Sequence, residues 1–111
     1  MSKYHSKKVK TPDGEFDSVR EWNRWNELKL LQRAGKISSL RRQVKYQLIP
    51  TQRSENGKGK VIEFPVNYTA DFVYIENGRE VVEDSKGFRT DEYKIKRKLM
   101  LWRYGIRVKE T

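Results

Sequence analysis

The sequence predicts an α/β protein, a mixed α+β sheet with the element order αβββαβ in a single compact domain. Three observations carry that reading. A capped helical stretch begins after Asp17, an Asn-Gly turn joins two strand-like runs, and a second capped helical stretch precedes a short final strand. A length of 111 residues suits one domain, and 35% hydrophobic against 36% charged residues leaves a thin core for three Trp, six Tyr and four Phe to fill.

The elements follow in order. Residues 1–10 (MSKYHSKKVK) are a basic, flexible lead-in, and the domain spans 11–111. Thr11-Pro12-Asp13-Gly14 places Pro and Gly as a tight turn requires, so Val9 to Phe16 reads as a small hairpin. Asp17 or Ser18 caps the first helix, Ser18-Val19-Arg20-Glu21 matches the S-x-x-E capping box, and the helix runs through Leu31 to stop near Ala34-Gly35. Glu21, Trp25 and Leu28 fall in one narrow sector of its wheel, which puts a carboxylate on the face destined for burial.

Residues 41–49 alternate polar and apolar before Pro50, as a strand does, and 51–60 (TQRSENGKGK) reads as a mobile, exposed loop. Two further strands, 66–75 and 79–85, flank Asn77-Gly78, the strongest short hairpin signal. Thr90 caps a second helix over 91–103, in which Ile95, Leu99 and Trp102 form a core-facing stripe. Gly105 ends that helix, and 106–109 make the last strand.

Composition narrows the function. With no Cys, disulfides, thiolate zinc sites and cysteine nucleophiles drop out, and a single His, His5 in the lead-in, is treated as incidental. No run approaches the roughly 18 apolar residues of a membrane span, so a soluble, cytoplasmic protein is expected. A net charge of +10 points to a polyanion, nucleic acid first and an acidic membrane surface second, although solubility alone also accounts for it.

The Asn77-Gly78 turn fixes a register. As a type I′ turn it pairs Glu76 with Arg79, Ile75 with Glu80, Val73 with Val82 and Asp71 with Asp84. Two aspartates facing each other on one sheet face destabilise it unless something neutralises them, and a divalent cation does so. Oxygen ligands without Cys or His nearby suit Mg²⁺ or Mn²⁺ better than zinc. Strand alternation adds Lys86 to that face, with Thr69 as its cross-strand partner, and Glu21 reaches the cluster from the first helix.

Such a set serves phosphodiester hydrolysis. Carboxylates hold the cation, and an ammonium orients water or offsets charge on phosphorane oxygens. An Asp and a Lys two apart on a strand are equally the mark of a solvated face or a surface ion pair, and a one-residue slip would separate the aspartates. Alternation points Glu83 away from Asp84 and Lys86, which argues against it as the second acid.

Phe16-Asp17-Ser18 leading into Glu21, the helical run Glu27-Leu28-Lys29-Leu30-Leu31-Gln32-Arg33-Ala34-Gly35, Tyr68-Thr69-Ala70-Asp71-Phe72 and Val82-Glu83-Asp84-Ser85-Lys86-Gly87 together carry a resemblance. The chain resembles a small phage-borne family of the PD-(D/E)XK nuclease superfamily, similar to Holliday-junction resolvase-like and restriction-type endonucleases. The resemblance covers most of the chain and implies a restriction-endonuclease-like core. It implies that Asp71 is the first acid of the motif, Asp84 the second, Lys86 the lysine and Glu21 the helix glutamate. Ala70 stands where the motif name has Pro, and Asp84 where Glu is common.

The function expected from this likeness is a metal-dependent DNA endonuclease using Mg²⁺ or Mn²⁺, structure-selective for branched DNA or Holliday junctions, and located in the host-cell cytoplasm. Cutting two opposed strands implies a homodimer. The alternatives are a non-catalytic DNA- or RNA-binding protein on the same fold and a structural subunit of a larger assembly. Phosphate contacts are expected from Lys7, Lys8 and Lys10 in the lead-in, from Arg41, Arg42 and Lys45 on the strand before Pro50, and from Lys58 and Lys60 in the loop. Arg89, Lys94 and Lys98, with Lys96, Arg97 and Arg103, extend that set around the second helix. Tyr4, His5 and Phe88 are placed to stack on bases or simply to pack.

Overall fold

The computed structural model describes residues 7–111, so Tyr4 and His5 lie outside the described residues. Strand β1 (Val9–Thr11) pairs antiparallel with β2 (Gly14–Phe16), Val9 opposite Phe16 and Thr11 opposite Gly14. This hairpin therefore starts within the ten residues read as a lead-in.

Helix α1 (Val19–Arg33) is capped by Ser18, whose Oγ accepts from the Glu21 N–H at 3.1 Å, so Ser18 rather than Asp17 satisfies the free amide. The Trp25 indole N–H donates to Asp13 Oδ2 at 3.0 Å and Lys29 pairs with the same carboxylate, which ties the first hairpin to α1.

Strand β3 (Ser38–Ile49) begins three residues earlier than its alternation suggested. The stretch expected as a mobile loop is instead a second hairpin, β4 (Gln52–Arg53) and β5 (Val61–Glu63), reversed by a single turn, α2 (Ser54–Gly57). Glu55 and Asn56 take left-handed backbone angles there, and Ser54 N–H closes onto Lys60 O at 3.0 Å. An exposed two-strand ribbon buries neither face, so it leaves no apolar alternation to read.

The long hairpin follows the sequence. Strands β6 (Val66–Glu76) and β7 (Arg79–Asp84) meet at Asn77 (φ 53°) and Gly78 (φ 75°), both left-handed as a type I′ turn demands. Its ladder pairs Glu76 with Arg79, Ile75 with Glu80 and Val73 with Val82, as the turn dictates. Helix α3 (Asp91–Tyr104) is capped by Thr90, whose Oγ1 accepts from Tyr93 N–H at 3.1 Å, and stops at left-handed Gly105. Strand β8 (Lys109–Glu110) is shorter and later than 106–109, because Ile106 and Val108 turn into the core before pairing begins.

The four-stranded sheet has the order β3-β6-β7-β8, antiparallel up to β7 and parallel between β7 and β8. That parallel pair needs a crossover, which α3 supplies. Taken in sequence, α1, β3, β6, β7, α3 and β8 give the αβββαβ core of a mixed α/β domain, with the two small hairpins as additions. Phe16, Leu28, Phe72 and Tyr74 pack with Trp22 and Trp25 between the sheet and α1. Tyr68, Ala70, Val73, Val82, Tyr93 and Met100 pack between the sheet and α3.

One stripe is rotated. Of the three residues expected in the core, Leu99 packs against it, but Ile95 and Trp102 are 59% and 80% exposed. Tyr93 and Met100 share the same seven-residue spacing, and the helix turns that side inward, where the Tyr93 hydroxyl donates to Glu110 at 2.8 Å. Among the described residues no helix is long and apolar enough to cross a membrane.

Candidate active site

The β6–β7 ladder ends at Phe72 opposite Glu83. Beyond that pair the strands part, β6 continuing along β3 and β7 along β8. The expected Asp71–Asp84 ladder pair therefore does not form, and Thr69 pairs with Lys45 rather than with Lys86, which lies past the end of β7. The two aspartates sit instead in the fork.

A change of face accompanies the fork. On β6, Tyr68 and Ala70 face α3 while Phe72 and Tyr74 face α1, although simple alternation puts all four on one side. On β3, Leu40 faces α1 and Val44, Tyr46 and Leu48 face α3, again against alternation. Both strands switch between the Arg42–Phe72 and Val44–Ala70 pairs, where Gln43 carries a left-handed φ of 54°. Regular pleating fails in the two strands together.

Asp71 is held at both oxygens: Oδ2 accepts the Ser85 N–H at 2.8 Å and Oδ1 accepts the Gln43 side-chain amide at 3.3 Å. Asp84 is fully buried, its Oδ2 accepting the Tyr68 hydroxyl and its Oδ1 lying 3.3 Å from Lys86 Nζ. The Lys86 ammonium also sits 5.3 Å from the centre of the Tyr93 ring. Glu21, 3% exposed, enters from the first turn of α1, with Oε2 3.5 Å from an Arg42 guanidinium nitrogen. The fold thus gathers Glu21, Asp71, Asp84 and Lys86 in one place.

The electrostatics are those of crowded acids. Burial, then the charges of Asp84 and Glu21, push Asp71 up to about 8 against the hydrogen bond from Ser85. Burial raises Glu21 as well, with the charge of Asp17 adding to it and Arg42 opposing. Burial and the neighbouring Asp84 charge raise the Tyr68 hydroxyl, which stays protonated as a donor.

Among the described residues no three Asp, Glu, His or Cys side chains form a ready-made metal cage. Asp84 Oδ1 and Glu21 Oε2 are nevertheless buried oxygens that accept no hydrogen bond. Each faces a side-chain cation, Lys86 and Arg42 respectively, but an all-oxygen donor set with a buried oxygen open on two carboxylates fits a hard cation, and Mg²⁺ needs only one or two carboxylates because it keeps several waters. Glu83 takes no part. It points toward α1, where Arg24 binds both its oxygens at 2.9 and 2.7 Å and Tyr74 donates a further hydrogen bond.

The cations divide into two groups. Arg42 is committed to the fold: it donates to Glu15 O at 2.9 Å, stacks 3.8 Å over the Phe16 ring and faces Glu21. Arg89 is paired with Glu110 at 2.9 Å and Arg41 lies 4.0 Å from Glu80. Lys45, Lys58, Lys60, Lys94 and Lys98 are exposed and lack an ion-pair partner among the described residues.

Sequence reasoning missed Gln43, Tyr68 and the Ser85 amide. Tyr68 lay in the motif run preceding Asp71, but alternation gave it no reason to reach Asp84. Gln43 carried no signal, because the register of β3 on β6 depends on the irregular connection between them.

A family model described as "Protein of unknown function (DUF1064)" matches residues 1–110. The chain belongs to the DUF1064 family. No curated protein and no solved structure matched it. For this DUF1064 member, the site's geometry is therefore the ground for a functional reading.

Proposed function

We propose that this DUF1064 protein is a metal-dependent DNA endonuclease with a PD-(D/E)XK-type site, cutting phosphodiester bonds in branched or duplex DNA as a homodimer. One observation carries the reading: Asp71, Asp84 and Lys86 converge in the β6–β7 fork with Glu21 beside them, and Lys86 Nζ is 3.3 Å from Asp84 Oδ1. The αβββαβ core and its mixed sheet support it, being what the nuclease resemblance implies.

Asp71 and Asp84 would hold Mg²⁺ or Mn²⁺, with Glu21 the third carboxylate in reach. The cation supplies Lewis acidity toward a phosphoryl oxygen and lowers the pKa of bound water. Lys86, anchored on Asp84 and half-exposed, orients the attacking water and stabilises the charge that grows on the phosphorane oxygens. Tyr68 and Ser85 keep the two aspartates from turning away, and the partnerless surface lysines hold the DNA backbone without reading its sequence.

The test is cleavage of a labelled four-way junction, a matched duplex and a single strand, with Mg²⁺, Mn²⁺ or EDTA, by wild type and Asp84→Ala. Metal-dependent cutting lost in the variant is expected, and preference for the junction would identify a resolvase-like enzyme. Tight DNA binding with no cutting under any condition would overturn the catalytic reading in favour of a binding protein on this fold.

A further inference from the structure

In a regular strand, consecutive side chains point to opposite faces, so neighbours do not serve one site. Arg42 and Gln43 break that rule. Arg42 reaches Glu21 Oε2 at 3.5 Å, and Gln43 donates to Asp71 Oδ1 at 3.3 Å, with the charge of Glu21 felt at Asp71. The left-handed φ of 54° at Gln43 falls where β3 changes face, between Leu40 on the α1 side and Val44 on the α3 side. A non-glycine residue holds that conformation in mid-strand only where surrounding structure enforces it, and such outliers concentrate at functional sites.

From this geometry we infer that Gln43 is a positioning residue, and that the kink it creates in β3 orients the carboxylates of the site for a divalent cation. The inference rests on the metal-site reading above. Ser85 N–H fixes one oxygen of Asp71 and the Gln43 amide fixes the other, so the plane of the carboxylate is set. A neutral amide suits the task. A lysine there would neutralise Asp71 and compete with the cation, whereas an amide donates without adding charge to a cluster that already holds three acids. Arg42, on the inner side of the kink, holds Glu21 and is itself clamped by Glu15 O and the Phe16 ring, so the first hairpin supports the same site.

Two variants separate the kink from the amide. Gln43→Gly keeps a residue at ease with positive φ and removes the side chain with its amide. Gln43→Val is β-branched and incompatible with that conformation, so it straightens the strand. The readouts are Mn²⁺ binding to the DNA-free protein, followed by electron paramagnetic resonance, and thermal unfolding without metal. Gln43→Gly should be no less stable than wild type yet bind Mn²⁺ about 10–100-fold more weakly, the usual loss when a ligand's supporting hydrogen bond is removed. Gln43→Val should lose both stability and Mn²⁺ affinity. If wild type and Gln43→Gly bind Mn²⁺ equally, the positioning role is overturned while the metal site stands. If wild type binds no Mn²⁺, the metal reading falls and this inference with it.

Discussion

Replacing Arg24 by Ala should destabilise the domain strongly and in a pH-dependent way. Glu83 is fully buried, and its charge is balanced by two Arg24 hydrogen bonds at 2.9 and 2.7 Å and by the Tyr74 hydroxyl. The Arg24 side chain is 19% exposed, so the pair is largely removed from water. Lys109 Nζ, 4.0 Å from Glu83 Oε2 and half in solvent, cannot take over. Breaking a buried pair by removing one partner costs about 3–5 kcal/mol. With a urea slope of about 2 kcal/mol/M for a chain of this size, the midpoint should fall by roughly 2 M.

The dependence on pH follows from the carboxylate. In wild type, burial raises Glu83, but the Arg24 and Tyr74 hydrogen bonds outweigh it and hold the group below the usual carboxylate range. A lowered folded pKa contributes stability that is present above the unfolded value and lost as pH falls through the folded one. Without Arg24, burial prevails and the sign reverses, so the variant loses stability as pH rises from about 5 to about 8. Urea titrations of both proteins at the two ends of that range measure the widening gap. Arg24→Met combined with Glu83→Leu should recover most of the loss. A single-variant loss below about 1 kcal/mol, or one independent of pH, would refute the claim that Glu83 is a buried charge held by Arg24.

Two other outcomes are expected. Tyr68→Phe leaves Asp84 Oδ2 without its donor in a fully buried setting, which should cost about 1–3 kcal/mol in metal-free unfolding. Asp71, raised to about 8, favours the protonated apo site. Its contribution to stability is therefore full below the ordinary carboxylate value and fades as pH climbs through about 8. In the proposed metal site Mn²⁺ would need the carboxylate, so calorimetry near neutral pH in two buffers of different ionisation heat should register proton uptake by buffer, and its absence would contradict the assignment.

Much of the fold was legible because its boundaries are local chemistry. Ser18, Asn77-Gly78, Thr90 and Gly105 each act within a few residues, and each does in the structure what its sequence context requires. The site was legible only in membership. Glu21, Asp71, Asp84 and Lys86 do come together, but through a fork and a double change of face rather than through the unbroken ladder that alternation implied. Gln43 was invisible because its partner Asp71 is 28 residues away, across a connection whose polar sequence hides a hairpin. On α3 the two apolar stripes had equal spacing, and the sheet residues that Tyr93 and Met100 meet, far away in sequence, are what distinguish the inward one.

The β6–β7 hairpin places Asp71 and Asp84 on its two arms, joined by a two-residue turn. Hairpins with such turns close in microseconds, well before contacts of long sequence separation are made. The ladder stops at Phe72–Glu83, one pair short of setting the two aspartates face to face, and beyond it each arm is held by a different neighbour, β3 on one side and β8 on the other.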